Sequence, residues 1–596
     1  MVKYTLITTA DERTWPKYKK KPFLFLGEWC RRYSRKNKWQ QLNAEVAEYH
    51  WDNREKLFKD YKYLQELYEQ LLEELSNKLN QIHSVNHTSQ YWRILLGPWL
   101  GYFIQMLFDR WFMLKQVIEQ ENVVECNIID RDFLSNVPND MKDFGQSFVE
   151  DDWNEAIYGQ LLELCWADRV AIDRVRVQST DSKRVDHARH GLRTVLTRYA
   201  KKCIPLFNRL FCKDDGYFFI SSYLPLIADF KLQIRLGQFP KLWRAQSVPI
   251  TKPDSQQRQW RLEGKDVRAG SFDIIARQLI SQNIPTAYLE GYLSLETKAN
   301  TLSWPVKPKL IFTSNAYLAD DLFKAWAAGK AETGVPIVIG QHGGHFGMNP
   351  FSFHEEHQIA ISDKWLSWGW FDQARQQIEP IGNFKDIGIN VGYNPKGGAL
   401  MVEMAMPRYS YHLFAAPVSS QVLSYMKDQQ AFLKELPHEL RELVLLRLFP
   451  IDYGWDQAVR WEDQMPEVLC DSGQHSIRKL IKESRIYIST YNATTYLESL
   501  RWNVPTIIFW NPEHWELKEN VRPYFDLLKS VGIFHETPES AAQQMIDVWD
   551  DVDAWWKSNE VQSAREQFCH QFSRAPDDLI GDLQTLFQSL SNKHNV

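Results

Sequence analysis

The stretch Ile486-Tyr-Ile-Ser489-Thr490-Tyr491-Asn492-Ala-Thr494-Thr495-Tyr-Leu-Glu498 reads as a short buried strand that stops in hydroxyl and amide side chains and then starts a helix. Free backbone N–H groups and the positive end of the helix dipole would face whatever lies beyond the strand, so the run suits a phosphate. Glu498, one turn into the helix, is placed to accept hydrogen bonds from ribose hydroxyls. A plain helix cap is the simpler alternative, but five hydroxyl-bearing residues in seven exceed what capping needs. Downstream, Asn503-Val-Pro505-Thr-Ile-Ile-Phe-Trp510 supplies the next strand. Upstream, strands are predicted at 399–404 and 443–448, with helices near 421–436 and 476–483. Strand and helix alternating in this way imply right-handed βαβ units and a parallel sheet.

A second alternating region begins near Ser271, with a helix over 272–282, strands over 286–289 and 309–312, a helix over 320–333 and a buried strand over 335–340. That last strand opens into Gln341-His342-Gly343-Gly344-His345. The break Asn390-Val-Gly-Tyr-Asn-Pro-Lys-Gly-Gly398 is the linker candidate. Two α/β halves then face a cleft at the carboxyl ends of their strands, where ligands of open α/β sheets bind. Further upstream, Pro22-Phe-Leu-Phe-Leu-Gly27-Glu28-Trp29 reads as a short buried strand stopped by glycine and feeding a functional loop. From Leu57 to Ile82 the apolar residues recur at the spacing of one helical stripe, and further helix is predicted around 91–120.

Composition excludes several classes. The chain has 596 residues, 44% apolar and 24% charged, with a net charge of −5, which gives no global footprint for nucleic acid. No N-terminal leader pattern is visible, and the greasiest run, 94–108, is too short to span a bilayer. Seven scattered cysteines suit reduced thiols and a cytoplasmic setting. A basic stretch over 174–202 reads as a solvated helix face or as a surface for anionic lipid. The 24 tryptophans divide into Trp92, Trp99 and Trp111 in greasy helices, and Trp29, Trp368, Trp370, Trp455 and Trp510 beside expected strand ends, where rings could stack on ligand.

A strand, a Ser/Thr-rich helix start, a Glu in the helix and then Asn503-x-Pro505-Thr-Ile-x-Phe resembles the donor half of a GT-B glycosyltransferase. Phe25-Leu-Gly27-Glu28-Trp29-Cys30, His87-Thr-Ser-Gln-Tyr-Trp-Arg93, Gln341-His-Gly-Gly344, Trp368-Gly369-Trp370 and Thr494-Thr-Tyr-Leu-Glu498 extend the resemblance to a family of transferases found with bacterial O-antigen and capsule loci. More distantly, the chain is similar to Kdo and sialic-type transferases that use CMP-activated acids, and to teichoic-acid glycerophosphotransferases that use CDP-glycerol. The resemblance implies an α/β, GT-B-like chain of two Rossmann-like domains facing a cleft. The acceptor-side domain would be 1–390 with a large helical insertion at about 53–210, then a linker at 391–398, a nucleotide-donor domain at 399–560 and C-terminal helices at 561–596.

It also implies transfer of a sugar or ulosonic acid from a nucleotide donor, CMP-linked by preference, to a glycan or lipid-linked glycan, without metal or cofactor. The alternatives are polyol-phosphate transfer and an inactive glycan-binding scaffold. The His-Gly pair supplies a base in the glycerophosphotransferases, and His342 stands in the matching context; Gly344-His345 departs from the Thr-Pro expected next. On its own chemistry His342 serves as base toward an acceptor hydroxyl or, protonated, steadies a leaving phosphate. Glu28 is either a second base with Trp29 as a sugar platform or a helix cap. Donor contacts are expected from Gln341, Gly343, Gly344, Arg447, Tyr453, Ser489, Thr490, Tyr491, Asn492, Thr494, Thr495 and Glu498. Arg447 at a strand end is read as a phosphate ligand or as a partner of Asp452 or Glu442. Glu290, Ser314, Asn315, Glu356 and His357 are expected to line the acceptor side; His354-Glu-Glu-His357 lacks the spacing of a zinc helix.

Overall fold

The computed structural model describes residues 2–16, 21–177, 215–264 and 271–593. Where two sheets were expected, the described residues form three parallel sheets. The first is built from β1 (Tyr4–Ile7), β2 (Phe23–Phe25), β3 (Ala44–Val46), β4 (Val123–Ile129) and β5 (Ala171–Val175) in the order β3-β2-β1-β4-β5. Of its strands only β2 was read from the sequence; β3 and β5 escape the pattern because they are largely exposed or half buried and carry charged residues. The crossover from β3 to β4 is the expected pair of long helices, α1 (Arg54–His83) and α2 (Ser89–Gln120). Asn53 and Thr88 cap them by accepting from backbone N–H groups. The stretch expected as a helical insertion therefore also contributes β4 and β5 to a sheet.

The second sheet runs β10-β9-β8-β7-β6, from β6 (Tyr217–Phe219), β7 (Leu310–Thr313), β8 (Ile337–Gly340), β9 (Lys364–Ser367) and β10 (Ile378–Pro380). The strand expected at 286–289 is instead a 3₁₀ turn over Thr286–Tyr288, where Pro285 and a reversal at Gly291 leave no length for pairing. The third sheet contains β11 (Ala399–Val402), β12 (Val444–Arg447), β13 (Leu469–Asp471), β14 (Ile486–Ser489), β15 (Thr506–Phe509) and β16 (Phe534–His535). Its order, β13-β12-β11-β14-β15-β16, is that of a Rossmann dinucleotide fold, with the switch point between β11 and β14.

The stretch expected as a linker, 391–398, is packed at Asn394 and Gly397. Asn394 N–H donates to the Ser484 carbonyl at 2.9 Å, and a Cβ on Gly397 would lie 2.2 Å from the Glu483 carbonyl oxygen. The C-terminal helix Leu579–Lys593 returns to the second sheet, placing Phe587 5.6 Å from Phe219 and 5.2 Å from Phe312 between ring centres. Loops from the carboxyl edges of the first and third sheets meet. Arg32, beyond β2, pairs with Asp456 at 3.0 Å, and Arg408, beyond β11, pairs with Asp151 at 2.8 Å. Among the described residues no helix is long and apolar enough to cross a membrane. Most of the basic 174–202 stretch lies outside the described residues.

Candidate active site

The turn after β8 and the helix after β14 meet. A Cβ on Gly344 would lie 2.0 Å from the Ala493 carbonyl oxygen, and one on Gly343 would lie 4.0 Å from Thr494 Oγ1. Only glycine permits so close an approach. The helix α3 (Thr494–Arg501) has Ala493 at its cap, which offers no side-chain acceptor to the first-turn N–H groups. His342 and this uncapped helix end thus share one recess, 152 residues apart in sequence.

His342 is surrounded by protein yet partly open to solvent. Its ring lies 5.2 Å from Phe346, 5.9 Å from Tyr223 and 6.3 Å from Tyr317, and its Nδ1 is buried without a partner. Burial, helped by the ammonium of Lys385, lowers its pKa to about 4, so the ring is a neutral base at neutral pH. Lys385 Nζ sits 2.7 Å from Glu498 Oε1. One cation therefore links the imidazole to the carboxylate expected to hold ribose. Burial and Glu498 together push the neighbouring Asp386 carboxyl up. Lys385 and Asp386 were missed in the sequence because they follow the short edge strand β10 in a segment without any motif.

The expected donor set divides. Thr494, Thr495 and Tyr491 remain partly exposed at the helix end. Ser489, Thr490 and Asn492 are buried and engaged. Ser489 donates to the Tyr491 carbonyl and Thr490 to the Val402 carbonyl, while Asn492 donates to Asn349 and accepts from Tyr496. These three shape the cradle rather than offer groups to it. Gln341 is likewise a pin. Its Oε1 accepts from Trp368 N–H at 2.9 Å and Trp370 Nε1–H at 3.0 Å, and its Nε2 donates to the Gly343 carbonyl at 2.8 Å. Arg447 pairs with Asp471 at 3.0 Å, neither Asp452 nor Glu442 being its partner, and Asp471 also holds His475. Tyr453 is half-buried over Phe449.

Several acceptor-side expectations are corrected. Trp29 is buried, donating its indole N–H to the Thr8 carbonyl, so it is no exposed platform. Trp368, Trp370, Trp455 and Trp510 are buried as well, Trp510 among the rings of Tyr496, Phe525 and Phe534. Glu28 is held by Arg31, with Arg31 Nε donating at 3.0 Å. Glu290 is buried in a two-pronged pair with Arg258 at 2.6 and 2.8 Å, away from the recess. Glu356 pairs with Arg375 at the surface. Ser314 is buried on the Ser222 carbonyl. Asn315 does reach the recess rim, donating to the Tyr223 hydroxyl at 3.1 Å, and His357 lies behind it, buried, 6.0 Å from the Tyr317 ring.

A family model described as LIC12162 family transferase matches residues 4–587. No curated protein matches the chain. Among solved structures, the wall teichoic acid polymerase TagF is 11% identical over 67% of this chain and 96% of its own, with a TM-score of 0.32. TarM is 11% identical over 48% and 54%, with a TM-score of 0.29. UGT89C1 of Arabidopsis thaliana complexed with quercetin is 11% identical over 59% and 86%, with a TM-score of 0.30.

Proposed function

The chain belongs to the LIC12162 family of transferases, and from that premise we propose that it is a glycosyltransferase moving a sugar or ulosonic acid from a nucleotide donor to a glycan hydroxyl. The observation that carries this reading is the contact of Gly344 with Ala493, which sets a neutral imidazole beside an uncapped helix end. Donor phosphate sits at the first turn of α3, with Thr494 and Thr495 hydroxyls and the Lys385 ammonium around it. Glu498, released from Lys385 as that cation turns to phosphate, accepts from the ribose. His342 takes the proton of the attacking hydroxyl. That role needs the neutral ring, which favours base over imidazolium.

The donor is cytidine-linked and the acceptor is a bacterial surface polysaccharide, O-antigen or capsule, assembled on the cytoplasmic side. A peripheral seat at the membrane belongs to the same reading. Its support is the exposed face of the helix Leu226–Arg235, where Leu226, Ile227 and Ile234 stand in water a few residues beyond Tyr223 of the recess rim. The test is a thermal-shift panel of CMP, CDP, UDP and GDP compounds, followed by mass spectrometry of the product formed from the best binder. A glycosyl mass on the acceptor supports the reading. A polyol-phosphate mass replaces it with phosphotransfer, and no shift with any nucleotide removes it.

A further inference from the structure

Beside His342 lies a group of imidazoles that the proposed transfer does not use. His354 on the helix Phe353–Ala360 stacks on His412 with ring centres 4.1 Å apart, and its Nε2 meets the Tyr102 hydroxyl. His412 in turn stacks on Phe414 at 5.0 Å, and His345 lies 5.0 Å from the same ring. The cluster thus draws on α2, the turn after β8, the helix at 353–360 and the loop at 411–414. His412 Nδ1, His345 Nε2 and both ring nitrogens of His357 are buried without a partner, although His412 and His357 are themselves only 6% and 4% exposed.

Orphaned buried nitrogens on this scale are costly unless a polar group reaches them. Among the described residues none of these histidines pairs with a carboxylate, and no set of three or more His, Cys, Asp or Glu residues is arranged to hold a metal ion. Around the cluster, Lys385 faces His342, while Arg93 and Lys324 face His357. Tyr102, Tyr317 and Tyr411 keep their hydroxyl protons through burial. Glu355 and Glu356, on the helix of His354, are engaged by Lys518 and Arg375. Each of these cations is itself paired, Lys385 with Glu498, Arg93 with Glu69 and Lys324 with Asp321, so the charge around the cluster is balanced while the imidazoles have no carboxylate of their own.

We propose that His345, His354 and His412 form an anion site adjoining the donor cradle, which receives a phosphodiester or carboxylate group of the acceptor together with one proton. The word acceptor rests on the transfer reading above; the anion site does not. The proton comes from bulk solvent and lodges on an imidazole nitrogen, with no covalent bond made to the anion. Burial and mutual repulsion hold these rings neutral until a counter-charge arrives: His345 is lowered to about 3, and His354 and His412 well below their ordinary value.

The test is isothermal titration of the full chain with dimethyl phosphate and, separately, with acetate, in buffers of different ionisation heat. Both probes keep a fixed charge between pH 6 and 8. Expected is uptake of about one proton per anion and affinity falling roughly tenfold per pH unit. The probe that binds more tightly identifies phosphodiester or carboxylate as the acceptor group. Binding without proton uptake, or none of either probe, overturns the proposal. His345→Gln, at a partly open position, is expected to weaken anion binding at least about tenfold, with Lys385→Ala changing it by less than about threefold. The reverse pattern would place the anion in the donor cradle and overturn the site. Anion binding with proton uptake in a chain that binds no nucleotide would keep this site and discard the transfer reaction.

Discussion

Gly344 and Ala493 are in contact across the join between the second and third sheets, close enough that a Cβ on the glycine would fall 2.0 Å from the Ala493 carbonyl oxygen. That contact brings the His342 turn to the first turn of α3, and backbone on both sides leaves no flexible side chain to yield.

Gly344→Ala is therefore expected to cost about 1–3 kcal/mol of stability and to weaken nucleotide binding, because relief requires the two elements to part. Gly392→Ala is the control, since nothing lies within 4 Å of its added Cβ. Thermal unfolding and nucleotide titration of both variants check this; equal behaviour of the two would show that the turn and helix are not held by this contact.

Glu403, beyond β11, is buried, and its carboxylate accepts from Trp461 Nε1–H at 2.8 Å and Gln457 Nε2–H at 3.2 Å. Burial pushes its pKa up to about 8. The unfolded chain releases this proton near the ordinary carboxylate value, so the folded state binds more protons between there and about 8. Stability conferred by the protonated group is fully present at low pH and declines as pH rises through that window, by roughly 1 kcal/mol per unit. Glu403→Gln, which is neutral at every pH, is expected to remove that slope. Unfolding midpoints of wild type and variant at pH 5, 6, 7 and 8 measure it.

Tryptophan emission offers a further check. Trp29, Trp368, Trp370, Trp455 and Trp510 are buried, so saturating nucleotide is expected to leave the emission maximum of each, isolated in a single-Trp variant, shifted by less than about 2 nm, there being no ring to dehydrate. A large blue shift from Trp29 would return it to the ligand surface.

The third sheet was legible because β11, β14 and β15 are central strands buried on both faces, β12 beside them carries the apolar run Val444-Leu-Leu446, and these runs end in punctuating residues. The hydroxyl run at 489–495 was legible as a helix start, but pattern alone could not separate Thr494 and Thr495, which face the recess, from Ser489 and Thr490, which serve the backbone. The first sheet was mostly hidden, since β3 and β5 carry Glu and Asp-Arg on half-exposed faces. Glu290 and Trp29 failed for another reason. Their positions after an apolar run suggested a strand end, but Arg258 in one case and the Thr8 carbonyl in the other had already claimed their polar groups. Such partners lie 32 and 21 residues away in the chain, beyond the reach of local pattern.

In the proposed reaction Lys385 is the residue on which donor binding and base chemistry converge. Lys385→Ala removes the cation beside Glu498 and relieves the repulsion that lowers His342. Nucleotide affinity is expected to fall about 10–100-fold, and the His342 resonance, followed by NMR, to titrate at a higher pH than in wild type. An unchanged His342 titration would separate the two groups.

The most direct measurement is a single-turnover assay of His342→Ala with the nucleotide donor that binds best, read by product mass and paired with that donor's affinity for the variant. Expected is wild-type affinity within about twofold and a rate of product formation lower by roughly 10²–10⁴-fold. Product formed at the wild-type rate would contradict the role of His342 as the base in a site shared with the donor helix.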